Sequence, residues 1–251
     1  MQQSIIQIII PLLLIPFLLW TYFRLRLKKL AQYKSEKLGN ITVIEKYNKE
    51  RVLTINYYAQ GISIEKKSIK QSYWFTVAES AVKFCKGKKN PRILMLGLGA
   101  NTISNLIDRL NPKIHQPIVE FDDKIIQACR EYFYLDQLTN FKLIQSDVYK
   151  LLAKKNAFDK NFDAIIIDIF TGDAPFVDLK SNKSDFMQKI IRYLKRDGLI
   201  IFNRPAHNEP LRNGGKELKE CLSNYFKKTK LLNVKDPRGY QNNVITGSFK
   251  K

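Results

Sequence analysis

Hydrophobic residues are distributed along the chain in three successive patterns. The first is a continuous apolar run of 20 residues, from Ser4 to Phe23, that contains no Asp, Glu, Lys or Arg. As a helix this run would be about 30 Å long, which matches the hydrocarbon core of a bilayer. Its two interior prolines, Pro11 and Pro16, would destabilise a buried helix of a soluble protein but are tolerated in membrane helices. The run therefore predicts an N-terminal transmembrane helix.

The residues that flank this run predict its orientation. Trp20 and Tyr22 stand where an interfacial aromatic belt would lie. Four cations follow at once: Arg24, Arg26, Lys28 and Lys29. Because cytoplasmic flanks are enriched in Lys and Arg, we expect a single-pass membrane protein whose C-terminal part lies in the cytoplasm. Residues 24–39 are expected to form a basic, partly helical juxtamembrane linker.

The second pattern, over residues 40–72, is that of a small β element. Ile41–Tyr47 and Arg51–Tyr57 are rich in β-branched and aromatic residues and flank a short polar segment, which favours a hairpin. Tyr73–Phe84 then has apolar positions spaced by three and four, which predicts a helix and the start of the main domain, residues 73–251.

The third pattern begins at Pro91, where short apolar strands alternate with amphipathic helices. This alternation predicts an α/β domain with a mainly parallel sheet covered on both faces. We expect strands at Arg92–Leu96, Gln116–Phe121, Phe141–Gln145, Phe162–Asp168 and Gly198–Asn203. Helices are expected to begin near Asn101, Asp122, Val148, Asn182 and Gly215.

Two further strands, Thr229–Val234 and Asn243–Phe249, flank the turn residues Pro237-Arg238-Gly239. A connection this short joins antiparallel strands, because a parallel pair needs a crossover of about a dozen residues. Five parallel strands that end in an antiparallel hairpin are typical of the Rossmann-like class I methyltransferase sheet.

The charge and the cysteine and histidine content limit what the protein is expected to bind. The chain has 43 Lys and Arg against 23 Asp and Glu, a formal net charge of +20 at pH 7. Such a charge suits either attraction to anionic lipid beside a membrane anchor or a basic surface without a specific partner. No RNA-binding or helix-turn-helix motif occurs, so we expect no specific nucleic acid. Three separated cysteines and two histidines predict neither a disulfide framework nor a metal site: Cys85, Cys129, Cys221, His115 and His207.

A glycine motif follows the first strand of the third pattern. Gly97 and Gly99 lie between that strand and the next helix, where glycines let the backbone approach a ligand closely. Glu120 ends the next strand, 23 residues after Gly97 (120 − 97), where a carboxylate can bind the hydroxyls of a ribose. Thr102 replaces the third glycine of a dinucleotide motif, which disfavours a pyrophosphate. The motif predicts a mononucleoside site, with an ordinary strand-to-helix turn as the alternative.

Four sequence elements together resemble the spermidine synthase family, within the class I S-adenosylmethionine-dependent methyltransferase superfamily. They are Ile93–Asn101, Val119-Glu120-Phe121-Asp122, Ser146-Asp147 and Phe162–Asp168. The resemblance implies that Gly97, Gly99 and Asn101 form the nucleoside loop. It also implies that Glu120 binds the ribose and that Asp147 faces the adenine amino group. The implied cofactor is S-adenosylmethionine or its decarboxylated form.

Three departures from that family concern the groups that bind an amine. Ala100 occupies the position of an Asp that holds the aminopropyl arm, Phe75 aligns with a family Tyr, and the second acid after the fourth strand is displaced to Asp173. A buried ammonium without a partner is costly, and a net charge of +20 repels polyamines. These departures argue against ordinary spermidine synthesis.

The resemblance assigns the acceptor chemistry to Asp168, which ends a buried strand at the carboxyl edge of the sheet. We expect Asp168 to orient an amine or hydroxyl acceptor and to take its proton, with Asp173 as the second acid. A loop-capping role for Asp168 is the alternative. Four residues follow the fifth strand and either line an acceptor pocket or form a solvated loop: Arg204, His207, Asn208 and Arg212.

The sequence therefore predicts a membrane-anchored transferase that acts on an unidentified small acceptor, with methyl transfer slightly preferred over aminopropyl transfer. Two alternatives stay open. One is polyamine synthesis itself, and the other is a catalytically idle nucleoside-binding module at the membrane. A homodimer is also left open.

Overall fold

The computed structural model describes residues 15, 16, 18, 21, 27–64, 67–159, 161–170 and 178–251. The predicted membrane helix, Ser4–Phe23, lies outside the described residues except for four positions. Among the helices that are described, none is long and apolar enough to cross a bilayer.

Four antiparallel strands form an N-terminal sheet in the order β1-β2-β3-β4. The strands are β1 (Lys28–Ser35), β2 (Gly39–Glu45), β3 (Arg51–Ile55) and β4 (Tyr58–Ile62). The predicted hairpin of β2 and β3 is confirmed. The prediction of helix within residues 24–39 is wrong over β1, where Leu30, Ala31 and Tyr33 pack on the core while Lys28, Lys29 and Lys34 stay exposed.

A second hairpin in this sheet, between β3 and β4, was not expected from the sequence. Its two turn residues, Asn56 and Tyr57, have φ values of 46° and 73°. Positive φ at both positions defines the two-residue turn whose twist matches that of the flanking strands. Tyr57 therefore ends the hairpin turn and is not the last residue of a strand, as its aromatic side chain had suggested.

The main sheet has seven strands in the order β10-β11-β9-β8-β5-β6-β7. They are β5 (Ile93–Leu96), β6 (Gln116–Glu120), β7 (Phe141–Gln145), β8 (Phe162–Ile167), β9 (Leu194–Pro205), β10 (Phe226–Lys235) and β11 (Gln241–Lys250). Five of them, from β9 to β7, are parallel, and β11 is antiparallel to both of its neighbours, β9 and β10. The predicted parallel sheet with a terminal antiparallel hairpin is confirmed.

In the part of the chain that the structure describes, six α-helices cover the two faces of this sheet: α1 (Tyr73–Phe84), α2 (Thr102–Leu110), α3 (Asp123–Tyr132), α4 (Val148–Leu152), α5 (Ser184–Ile191) and α6 (Glu209–Ser223). Helix α6 begins at Glu209, six residues before Gly215, where the sequence predicted its start. Asn208 caps it by accepting a hydrogen bond from the Leu211 amide at 3.0 Å, and Pro210 lies in its first turn. Gly215 therefore lies inside the helix. A glycine fits there because a Cβ would lie 2.1 Å from Asn243 Nδ2.

Two apolar clusters separate the layers. One joins the main sheet to α1–α3 and to the N-terminal sheet, and it includes the fully buried Trp74 and Leu53. The other lies beneath α4–α6 and includes Phe202. A wholly buried Leu or Phe side chain contributes about 2 to 3 kcal/mol to the stability of the fold. Along β8, Ile166 belongs to the first cluster and Ile167 to the second, as the period of two in a strand requires.

Candidate functional site

The strand order reverses between β5 and β8, which creates a crevice at the carboxyl ends of these two strands. From β5 the chain moves outward to β6 and β7, and it then returns to the other side through β8 and β9. Ligands of open α/β sheets bind at such a switch point. Gly97 follows β5 there and Asp168 follows β8, so the sheet brings together two of the residues that the sequence had singled out.

Gly97 is required by the closeness of these two strand ends. Its φ is +90°, and a Cβ at this position would lie 2.2 Å from the carbonyl oxygen of Asp168. A side chain of any size would therefore push β5 and β8 apart at the mouth of the crevice.

The N-terminal sheet lies directly over the glycine loop. A Cβ on Gly99 would lie 2.9 Å from the carbonyl oxygen of Gln60, and a Cβ on Gly61 would lie 2.7 Å from the Cβ of Ala100. Ala100 is 1% exposed. The Ala100 side chain thus packs between the loop and β4. The two can approach this closely because Gly99 and Gly61 have no side chains.

Thr102 fastens the same contact at the start of α2. Its hydroxyl donates to the Ile62 carbonyl at 2.7 Å and accepts from the Ile62 amide at 3.0 Å. The residue that replaces the third glycine of a dinucleotide motif therefore ties the N-terminal sheet to the helix. This function could not be seen in the sequence, because the partner strand lies 40 residues away.

A first cavity of about 570 Å³, open to solvent, lies between the glycine loop and β4. Its lining is mainly apolar and combines the strand ends with the roof: Leu38, Ile55, Gln60, Gly97, Leu98, Gly99, Val119, Glu120, Phe121, Ile125, Ser146, Val148, Asp168, Ile169 and Phe170.

Glu120 presents a buried carboxylate to this cavity. It accepts hydrogen bonds from the backbone amides of Leu98, Phe121 and Asp122 at 3.0, 2.8 and 3.0 Å. Burial raises the pKa of Glu120, while these backbone amides act in the opposite direction. A carboxylate has about four acceptor positions, so three bonds leave about one for a ligand hydroxyl.

Two of the residues expected to bind the donor, Asn101 and Asp147, do not line this cavity. The Asn101 side chain is fully buried and donates to the Phe133 carbonyl at 3.0 Å, and its backbone is left-handed with φ 57°. Asp147 caps α4 by accepting from the amides of Tyr149 and Lys150. The cavity lining contains neither residue, although Ser146 and Val148 on either side of Asp147 belong to it.

Asp168 is the acid at the mouth of the crevice. Its Oδ1 accepts a hydrogen bond from Asn203 Nδ2 at 2.7 Å. Burial raises its pKa to about 6, although the Asn203 amide and the nearby Arg204 charge both favour the ionised form. Asp173, the expected second acid, lies outside the described residues.

A second, wider cavity of about 1230 Å³ adjoins the first, and Gln60 and Phe170 line both. Its described lining is mainly aromatic and polar and contains no Asp, Glu, Lys or Arg: Tyr58, Ala59, Gln60, Tyr73, Phe170, Pro205, His207, Asn208, Gly239, Tyr240, Gln241 and Asn242. His207 and Asn208 are exposed at its rim. Arg212 is exposed in α6, where its guanidinium donates to the Ala206 carbonyl.

Arg204 belongs to neither of the two expected environments. It is 4% exposed, donates to Ser181 and Asn182, and packs over the ring of Phe202 on the face of the sheet opposite Asn203. Burial lowers the pKa of Arg204 to about 10, while the nearby carboxylate of Asp178 acts against this shift. A solvated loop is therefore the wrong interpretation for this residue, because the strand continues to Pro205 and places alternate side chains in the two layers.

Comparisons with known proteins agree with this geometry. The methyltransferase domain family matches residues 87–242, more than half of the chain. A polyamine aminopropyltransferase from Vibrio vulnificus is 25% identical over 115 residues, which are 46% of this chain and 38% of that enzyme. The matched region thus spans less than half of the relative's own length.

Two solved structures have the same fold. A probable spermidine synthase from Corynebacterium glutamicum superposes with a TM-score of 0.68 at 21% identity, covering 87% of this chain and 79% of that one. Human methyltransferase-like protein 13 in complex with SAH superposes with a TM-score of 0.53 at 18% identity, covering 68% and 75%. The chain belongs to the methyltransferase domain family, and its fold is similar to those of these spermidine synthase and methyltransferase structures.

Proposed function

We propose that the first cavity binds an S-adenosylmethionine-type donor and that the second holds an amine or hydroxyl acceptor, to which a methyl group is transferred. One observation carries the proposal. Asp168 lies in the wall of the first cavity, two residues before Phe170, which both cavities share. A group bound in the second cavity would therefore meet both the donor and a carboxylate.

The residues of the first cavity fit the nucleoside part of such a donor. Gly97 and Gly99 line the cavity, and Glu120 keeps about one acceptor position for a ribose hydroxyl. When bound, S-adenosylmethionine supplies a methyl group that its sulfonium activates toward nucleophiles. The role of the protein is to hold the donor and acceptor in line, which alone can lower the barrier by several kcal/mol.

Asp168 supplies the acid–base chemistry. With a pKa of about 6 it is mostly ionised at pH 7 and still basic enough to accept a proton. The proton leaves the acceptor nitrogen or oxygen and is taken up on the carboxylate, so that no positive charge is left on the product.

Ala100 and the second cavity favour methyl over aminopropyl transfer. Ala100 brings no carboxylate to the loop, so the structure has no group there to hold an aminopropyl ammonium or to repel the donor's own carboxylate. Among the described residues that line the second cavity, none is an Asp or Glu. In the described lining of the two cavities, a diamine would therefore find carboxylates, those of Glu120 and Asp168, in the first cavity alone, although each desolvated ammonium needs a partner. Aminopropyl transfer is the second candidate, favoured by the likeness to the Vibrio enzyme.

Calorimetry with both donors tests the proposal. We expect S-adenosylmethionine to bind at least as tightly as its decarboxylated form. Turnover on a panel of amines and phenols, followed by the release of S-adenosylhomocysteine or methylthioadenosine, then separates the two reactions. A strong preference for the decarboxylated donor would make aminopropyl transfer the function, and binding without turnover on every acceptor would indicate an idle binding module.

We also propose that Ser4–Phe23 anchors the domain in a membrane with the C-terminal part in the cytoplasm. The support is the uncharged run and the four cations after it. Protease added to intact spheroplasts should leave the domain uncut until detergent is added. Digestion without detergent would reverse the proposed orientation, and full solubility of the complete chain without detergent would exclude the anchor.

A further inference from the structure

A row of three polar side chains crosses the main sheet beside the two cavities. In the parallel pair β8–β9, Ile167 lies opposite Phe202, so the next residues, Asp168 and Asn203, follow at adjacent strand positions. In the antiparallel pair β9–β11, Asn203 lies opposite Val244, and Asn242 is the diagonal neighbour on the same face. The strand register thus places the three side chains in one row on the face that α1 covers.

Hydrogen bonds join the row in one direction. Asn242 Nδ2 donates to Asn203 Oδ1 at 2.8 Å, and Asn203 Nδ2 donates to Asp168 Oδ1 at 2.7 Å. An ionised carboxylate can only accept, so the Asn203 amide must present its NH2 group to Asp168 and its oxygen to Asn242. Asn203 is fully buried and Asn242 is 7% exposed.

The row leaves the two oxygens of Asp168 in different environments. Oδ1 is held by Asn203, whereas the described residues offer no hydrogen-bond donor to Oδ2. Tyr73, at the start of α1, lies near Asp168 and Asn203 and also lines the second cavity, as Asn242 does. The amide of Asn203 is therefore held between Asp168 and Asn242, which belongs to the acceptor cavity wall.

We propose that Asn203 and Asn242 are positioning residues that hold Oδ1 of Asp168 and leave Oδ2 to receive the proton of the acceptor. The proposal deepens the proposed function and rests on it. A neutral amide suits this task, because it fixes the direction of the carboxylate without the positive charge that would make it a poor base.

The titration of Asp168 tests this role in the full chain without donor or acceptor. With 13C-labelled aspartate, the Cγ resonance that is lost in Asp168→Asn should titrate near pH 6 in the wild type. In Asn203→Leu its midpoint should rise by about one pH unit or more, because the bond that stabilises the ionised form is gone. In Asn242→Leu the rise should be smaller, since Asn203 keeps its NH2 group but loses one of the contacts that orient it.

Asn243→Ala is the matched control. Asn243 is the next residue on β11 and equally buried, but its side chain bonds to Asn233 and lies against Gly215 on the other face. Its variant should titrate like the wild type. An unchanged midpoint in folded Asn203→Leu overturns the proposal, and if that variant does not fold, an unchanged midpoint in Asn242→Leu does so.

Turnover in the same variants separates this inference from the proposed function. The acid limb of the kcat profile should move to higher pH together with the titration midpoint, while the affinity for the donor stays unchanged. A shifted midpoint with an unmoved acid limb would refute Asp168 as the base, and with it the proposed reaction, but would leave the hydrogen-bonding role of the two amides intact.

Discussion

Strand β8 has an aspartate near each of its ends, and the two lie in opposite chemical environments. Asp163, the second residue of the strand, accepts hydrogen bonds from the Arg92 amide at 3.0 Å and from Lys195 Nζ at 2.7 Å, with Lys88 Nζ at 3.3 Å. Asp168, which follows the strand, is held by the neutral amide of Asn203. Asp163 is buried and Asp168 is half-buried, and only Asp163 is neutralised by adjacent lysines.

The pKa values of the two groups follow from this difference. Burial acts to raise the pKa of Asp163, yet Lys195, the Arg92 amide and Lys88 together bring it below its usual value. Burial raises the pKa of Asp168 to about 6, because the favourable contributions of Asn203 and Arg204 are too weak to cancel it. A carboxylate at the amino edge of this sheet is thus committed to a structural ion pair. The one at the carboxyl edge is left able to accept a proton.

The largest effect is expected from Asp168→Asn. If Asp168 takes the proton of the acceptor, this change should lower turnover about a hundredfold or more while the affinity for the donor stays the same. Steady-state kinetics and calorimetry on the same preparation measure both quantities. Turnover at the wild-type level in a folded variant would show that Asp168 is a loop cap and would remove the functional half of the comparison.

The second effect is expected from Asp163→Asn, at the other end of the strand. It removes a buried negative charge and leaves Lys88 and Lys195 without their shared partner. Because both lysine side chains are partly exposed, 23% and 41%, they can turn to water, and we expect a loss of about 2 kcal/mol in the free energy of unfolding.

Denaturant titration of this variant gives the loss, and kcat should stay within about twofold of the wild type because Asp163 lies at the edge of the sheet away from both cavities. A variant that keeps its stability but loses turnover would invert the assignment of the two aspartates. The wild type should also lose the contribution of Asp163 as the pH falls through its lowered pKa, since a depressed carboxyl pKa stabilises the fold only above that value.

Glu120 offers a third carboxylate, intermediate between the other two. It is 6% exposed and has no cation within contact among the described residues, but three backbone amides hold it. Glu120→Gln should weaken donor binding by about 1.5 kcal/mol, because a charge-assisted bond to the ribose becomes a neutral one. Calorimetry at pH 7 checks this value. Unchanged affinity would show that the backbone amides use all of the carboxylate's capacity.

The parts of this site that lie at strand ends were readable from the sequence. Continuous apolar runs before Glu120 and Asp168 predict buried parallel strands, and parallel strands bring their carboxyl ends to one edge. Gly97 was readable for the same reason, since a glycine directly after such a strand indicates a close approach of backbones.

The parts that depend on contacts between distant segments were not readable. The role of Asn203 depends on the register of three strands, and the burial of Arg204 on the extra length of β9, neither of which leaves a local signal. Asn101 follows the glycines as a ligand residue would, yet its side chain donates to the carbonyl of Phe133, the residue directly after α3. Charge also hid β1. Its lysines suggested a linker, although its exposed and partly buried residues follow the pattern of an edge strand.

The smallest effect expected from the comparison concerns stability at the functional end of β8. An acid whose pKa is raised in the folded state binds more protons there than in the unfolded chain, so the free energy of unfolding falls as pH rises from about 4 to about 6. Above that window the ionised Asp168 costs stability.

Asp168→Asn removes this cost while keeping an oxygen that can accept from Asn203. The variant should therefore be more stable than the wild type by about 1 kcal/mol at pH 7. This gain is smaller than the full pKa shift would give, because water in the cavity screens the charge. Near pH 4 the two proteins should be equally stable. Denaturant titrations of both proteins at pH 4, 5, 6, 7 and 8 measure the difference, which should grow through this range and level off above pH 7. A difference that is constant with pH would mean that the ionisation of Asp168 is not its source, and a less stable variant at pH 7 would mean that the carboxylate has a stabilising partner and belongs with Asp163.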